Sequence, residues 1–136
     1  MVKAVNLAIK ELNLGSYRQW PGSHWQVTIR NYLKGSANLT VHCKSKDDDL
    51  GEHVIEFRGR YEWKFKENFW QTTLFWCNFK SMYGHASGEV FWPEKSDWLA
   101  YRCDFSNCIW VARGDQGIYL AHVPQRTFEL KYRWQK

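Results

Sequence analysis

The chain has 136 residues, with 19 Lys and Arg against 14 Asp and Glu and a formal net charge of +5 at pH 7. That length suits one domain with a working core, and no uninterrupted apolar stretch approaches bilayer-spanning length, which excludes a transmembrane helix. The positive balance favours polyanions as a class, whether nucleic acid, acidic wall polysaccharide or anionic lipid, without choosing among them. Aromatics make up 18% of the chain and nine residues are Trp, a composition that suits pleated surfaces better than helices.

The opening MVKAVNLAIKELNLGS has neither the apolar h-region nor the cleavage site of a secretory signal. A cytosolic chain, or a mature one carrying an initiator Met in place of its signal, fits this start. Val5, Ala8, Ile9 and Leu12 form a helical stripe, while Val5, Leu7 and Ile9 fit a strand equally well. Residues 1–24 are therefore an N-terminal extension of undecided structure, and 25–136 are expected to form one β-sandwich domain.

From Trp25 the chain reads as short strands. Trp25 to Arg30 alternates apolar and polar residues, and Leu39 to Cys43 puts the Cys43 sulfur on the core face with Leu39 and Val41. His42 then points outward. His53 to Phe57 and Tyr61 to Lys66 follow, with a turn at Gly59; the second sets three aromatics against Glu62, Lys64 and Lys66, as a half-solvated strand should. Thr72 to Phe79 is apolar on both faces in its middle and reads as central in its sheet. Glu89 to Trp92, Leu99 to Cys103, Cys108 to Arg113, Ile118 to Val123 and Thr127 to Trp134 complete the strands, with a hairpin at Gly114-Asp115-Gln116-Gly117. About eight antiparallel strands at this spacing give an all-β sandwich or barrel.

Cys43, Cys77, Cys103 and Cys108 offer no paired zinc knuckles, and the five histidines lack ligand spacing. Two disulfides are preferred over free cytosolic thiols, which implies an oxidising compartment. Four cysteines allow three pairings; the expectation is that Cys43 and Cys77 each reach into the Cys103 to Cys108 segment. Asn38-Leu39-Thr40 is a glycosylation sequon, consistent with export.

The densest acid follows the first cysteine, in HCKSKDDDLG from His42 to Gly51. Three adjacent aspartates cannot occupy a buried face, because their repulsion and desolvation would be uncompensated. Lys44 to Glu52 is accordingly read as an exposed loop rooted at Cys43. It serves either as a soluble turn or as a recognition loop. A calcium loop is disfavoured because the D-x-D-x-D-G spacing is absent.

HCKSKDDDLGEHV, then YEWKFKENFWQTTLFWCNF, the later C-x4-C pair, and Ile109-Trp110-Val111 leading to Gly117-Ile118-Tyr119 together resemble the plant self-incompatibility S1 family, the S-protein homologues. The likeness runs from about Val27 to Tyr119 and retains the order and spacing of these motifs. It implies a small secreted plant protein with a β-sandwich and two disulfides. Founding members of that family are stigma-secreted ligands acting on pollen through a membrane protein. Residues 1 to about 24 and Thr127 to Trp134 depart from the family pattern, and are expected to add strands or cover a sheet edge.

No enzyme is expected. The serines lack a G-x-S-x-G context, and Asp47, Asp48 and Asp49 are too close in one loop for paired-carboxylate glycoside cleavage. A His42 and His53 ribonuclease pair would need convergence that the sequence does not supply. The tryptophans could serve as sugar or base platforms only where exposed; Trp63, Trp76 and Trp110 fall on faces that read as buried. The expected function is an extracellular ligand, monomeric, without metal or cofactor. It binds a plant cell-surface receptor rather than nucleic acid, through Lys46, Asp47, Asp48, Asp49 and the turn Lys66-Glu67-Asn68-Phe69. The alternative is a basic wall- or membrane-associated defence module that binds acidic polysaccharide or lipid.

Overall fold

The computed structural model describes residues 24–67 and 72–136. Except for His24, the N-terminal extension lies outside the described residues, as do Asn68 and Phe69. Among the described residues nine strands form in chain order: β1 (His24–Leu33), β2 (Leu39–Ser45), β3 (Asp49–Ile55), β4 (Arg60–Lys66), β5 (Phe75–Ser81), β6 (Gly84–Phe91), β7 (Asn107–Gly114), β8 (Gly117–His122) and β9 (Thr127–Arg133). One short helix, α1 (Trp98–Arg102), separates β6 from β7. The strands build two sheets, β4-β1-β7-β8-β9 (sheet A) and β3-β2-β5-β6 (sheet B). This is the expected all-β sandwich.

Alternation explains which face each strand buries. Trp25, Val27, Ile29 and Leu33 of β1 are buried, as are Leu39, Val41 and Cys43 of β2 and Phe75, Cys77 and Phe79 of β5. They meet Trp110, Ile118 and Leu120 of sheet A in one core. Trp110 is wholly buried and satisfies its indole N–H on the Val90 carbonyl at 3.0 Å. Its ring stacks on Tyr132, whose own ring covers Gly88 so closely that a Cβ there would lie 2.1 Å from it. Only glycine fits under that ring. Beyond β9, Gln135 exchanges two backbone hydrogen bonds with His85 of β6, at 2.8 and 2.7 Å. The C-terminal segment thus adds an edge strand to sheet A and touches the edge of sheet B, as expected of it.

Several expectations are corrected. Leu99 to Cys103 is helical: the Glu94 carboxylate accepts the Leu99 and Ala100 backbone N–H groups at 2.9 to 3.1 Å, satisfying donors that a first turn leaves open. The sheets are not wholly antiparallel, since β1 and β7 run parallel from Gln26↔Asn107 to Leu33↔Gly114. The long acidic loop is a short hairpin turn of Lys46, Asp47 and Asp48, because β2 continues to Ser45 and β3 already begins at Asp49.

The cysteine pairing also differs. Cys43 and Cys77 bond to each other, as do Cys103 and Cys108. Cys43 and Cys77 are register partners on neighbouring β2 and β5, with Cα atoms 4.0 Å apart, so both point into the core from one pleat. Cys103 and Cys108 flank a tight turn in which Asp104 and Phe105 adopt left-handed φ values of 53° and 54°, and their Cα atoms lie 4.4 Å apart. In the chain-entropy model the longer-range bond contributes about 4 kcal/mol and the local one about 2 kcal/mol.

Asn31 occupies a core-facing position of β1 and is fully buried. Its Nδ2 donates to the carbonyls of Ala37 and Ile55, each at 2.8 Å, and its Oδ1 accepts the Leu33 N–H at 2.9 Å. Its backbone N–H donates to Gly59 O, and its carbonyl accepts from the Arg58 N–H. One side chain therefore anchors both the β1–β2 and β3–β4 connections. Replacing Asn31 with Leu keeps the branched shape of the side chain but strands two carbonyls and an N–H, each costing about 1–3 kcal/mol. We expect a loss of roughly 3 kcal/mol in urea unfolding, with the disulfides intact.

Candidate functional site

The β2–β3 turn, the end of β4 and the start of β5 converge on one open depression of about 650 Å³. Lys46, Asp47 and Asp48 form one rim, Phe65 and Lys66 another, and Thr72, Thr73, Leu74 and Trp76 a third. Pairing of β2 with β5, Lys44 opposite Trp76 and Ser45 opposite Phe75, carries the turn to this place. The turn is held locally: Ser45 N–H donates to Asp48 O at 2.7 Å, and Asp48 N–H donates to Ser45 Oγ at 3.1 Å. Lys46, Asp47 and Asp48 are all exposed. Among the described residues neither Asp47 nor Asp48 pairs with a cation.

Asp49 behaves differently from its neighbours. Its Oδ1 accepts the Gly51 N–H at 2.9 Å and meets His42 Nε2 at 2.5 Å. Those two bonds, the Gly51 amide first, hold its carboxyl below the usual carboxylate range. Asp49 is thus a strand residue tied back to the outer face of sheet B, and the acid at the tip comes from Asp47 and Asp48. His42 is a cross-strand surface residue, as the alternation of β2 requires.

Of the second expected loop, Lys66 lines the depression but Glu67 does not. Glu67 is only 7% exposed and faces a separate pocket of about 190 Å³ with Trp25, Phe91, Trp92 and Glu94. Burial raises its pKa, the nearby Trp25 indole opposes that shift, and the charge of Glu94 adds to it. A carboxyl whose pKa rises on folding contributes its full stability only below its unfolded pKa; the contribution is lost as pH rises through the folded value. Glu67→Gln is therefore expected to raise the urea midpoint at pH 7. The gain should shrink as pH falls below the ordinary carboxylate range, which paired unfolding curves at the two pH values would reveal.

The remaining candidates separate. Val41, opposite His53, is core-facing, so His53 faces inward and stacks on Tyr61 at 3.9 Å, whereas His42 faces outward. The two histidines lie on opposite faces of sheet B and cannot act on one substrate. Trp76 is corrected from buried to half-exposed, on the outer face of β5. No described tryptophan is among the exposed large apolar residues, and Trp98 is covered by Arg102 at 3.8 Å and Lys131 at 4.7 Å. No group of three or more His, Cys, Asp or Glu suited to a metal ion occurs among the described residues. Asn38 is exposed in the β1–β2 connection, where a glycan could be attached. Thr72, Thr73, Leu74 and Trp76 were not foreseen as site residues, since only the β2–β5 register brings them beside the turn.

The family model for plant self-incompatibility protein S1 matches residues 26–134, so Thr127 to Trp134 lie within the family pattern and not outside it as expected. Arabidopsis thaliana S-protein homolog 1 is 42% identical over 113 residues, 83% of this chain and 73% of that protein. S-protein homolog 74 of the same plant is 45% identical over 112 residues, covering 82% and 72%. A solved self-incompatibility protein homologue, described as one of a widespread family of small, highly stable, secreted plant proteins, superposes with a TM-score of 0.63. That likeness covers 85% of this chain and 97% of the other at 22% identity, and it concerns the fold. With its two disulfides, its two-sheet sandwich and a match over most of its length, the chain belongs to the plant self-incompatibility protein S1 family of S-protein homologues.

Proposed function

We propose that the chain is a non-enzymatic extracellular recognition protein that binds a cell-surface protein through the depression at the β2–β3 turn. The convergence of two sequence-distant segments on that depression carries the reading. Recognition residues concentrate on loops held by a rigid scaffold, and the Cys43–Cys77 bond joins the two strands that supply the turn and the Trp76 rim. Among the described residues Asp47 and Asp48 have no cation partner, and they stand beside Lys46 and Lys66, so a complementary partner must match both signs. Such mixed patterns favour specificity over raw affinity. The disulfides and the family suit secretion.

A second reading rests on β4, an edge strand of sheet A whose exposed face carries Arg60, Lys64 and Lys66, with Glu62 between them paired to Arg60. That row suits acidic polysaccharide or anionic lipid. Salt separates the two readings. Labelled protein bound to plant cells should be displaced by unlabelled protein, retain binding at raised salt, and lose at least about tenfold in affinity in the Asp47→Asn, Asp48→Asn variant. Binding that does not saturate, disappears in salt and ignores the substitution would transfer the function to the basic row.

A further inference from the structure

The outer face of sheet A carries a second surface, near the end of β1 remote from His24 and Lys66. Arg30 and Tyr32 of β1, Ile109, Val111 and Arg113 of β7, and Phe128 of β9 border a shallow groove of about 640 Å³. Ile109, Val111 and Ala121 contribute only aliphatic side chains to it. Tyr32 and Phe128 are 38% and 44% exposed, and together with the aliphatic centre they form a contiguous apolar patch of the kind that marks interaction surfaces.

Each guanidinium is held against a ring instead of a carboxylate. Arg30 lies 5.3 Å from the Tyr32 ring centre and donates to Tyr32 Oη at 2.9 Å. Arg113 lies 4.3 Å from Phe128 and 5.4 Å from Tyr119. Glu62, the acid on the neighbouring edge strand, pairs with Arg60. Neither Arg30 nor Arg113 has an ion-pair partner among the described residues. Exposed Tyr, Phe and Arg around an aliphatic centre are the residue types that dominate protein interfaces.

We propose that this face docks an extended acidic segment of a protein partner. An apolar side chain of that segment rests on Ile109, Val111 and Ala121, and flanking carboxylates meet Arg30 and Arg113. Planar guanidiniums held by rings lose little freedom on binding carboxylates bidentately. The aliphatic floor suits a peptide better than a polyuronate, which presents little apolar surface. A concave groove also suits a side chain better than a flat bilayer. Occupation by residues 1–23 is disfavoured by charge, since they carry Lys3, Lys10 and Arg18 against Glu11.

The test uses the oxidised full chain, labelled with 15N, titrated separately with a peptide alternating Glu and Leu, its Gln and Leu counterpart, anionic phosphatidylglycerol vesicles, and polygalacturonate. The proposal expects the acidic peptide to shift amides around Tyr32, Ile109, Val111 and Phe128. It also expects the Arg30→Gln, Arg113→Gln variant to bind that peptide roughly tenfold more weakly, and a Lys80→Gln, Lys136→Gln variant, which removes the same charge away from the groove, to bind it within about twofold of the parent chain. No shift with the peptide, shifts elsewhere, equal binding of the Gln counterpart, or a response at these residues only to vesicles or polygalacturonate would overturn it.

Discussion

The bond between Cys43 and Cys77 is the constraint on which the arrangement of sheet B depends. It joins register partners in the two central strands of that sheet. Strand pairing has a side-chain period of two, so a slip by one residue would turn Leu39, Val41 and Cys43 to solvent and bring His42 and Lys44 into the core. A covalent link across one pleat excludes that slip. The same link decides which residues of β5 stand beside the β2–β3 turn, and thus what lines the depression. For the placement of the depression this register matters more than the bond's chain-entropy contribution of about 4 kcal/mol.

Sheet A is organised differently. Its strand β1 pairs antiparallel with β4 and parallel with the central strand β7, so the chain crosses to sheet B for β2 and β3, returns for β4, and crosses again for β5 and β6 before β7 is laid down. Asn31 holds the two connections that leave for sheet B and come back from it. A buried amide with every bond satisfied rigidifies that corner, whereas the same amide left unpaired would be costly. The outcome is a sandwich with two differently built surfaces: a mixed-charge depression at the end of sheet B, and an arginine and aromatic groove on the face of sheet A.

Much of the fold was legible because most strands obey their own alternation. Tyr61 to Lys66 and Leu39 to Cys43 announce their buried faces residue by residue, and the Gly114 to Gly117 turn announces its hairpin. What stayed illegible is nonlocal. Leu99 to Arg102 alternates no worse than a strand, and it is helical because Glu94, five residues earlier, accepts its first amides. Pairing of Cys43 with Cys77 depends on the β2–β5 register, which no local pattern encodes. The parallel β1–β7 pair depends on topology, and Glu67 looks like a turn residue until Trp25 and Phe91 are seen to surround it. The candidate site was legible in half: Lys46, Asp47, Asp48 and Lys66 meet at the depression, Asp49 and Glu67 do not.

Tryptic digestion of the oxidised protein without reductant tests the central constraint most directly. Cleavage after Lys34, Lys44, Lys66, Lys80, Arg102 and Arg113 separates Cys43 from Cys77 and leaves Cys103 and Cys108 within one peptide. The register-locking account predicts that segments 35–44 and 67–80 remain joined, and that segment 103–113 carries an internal bond. Linkage of either 35–44 or 67–80 to 103–113 would contradict it, and with it the positions assigned to the rims of the depression.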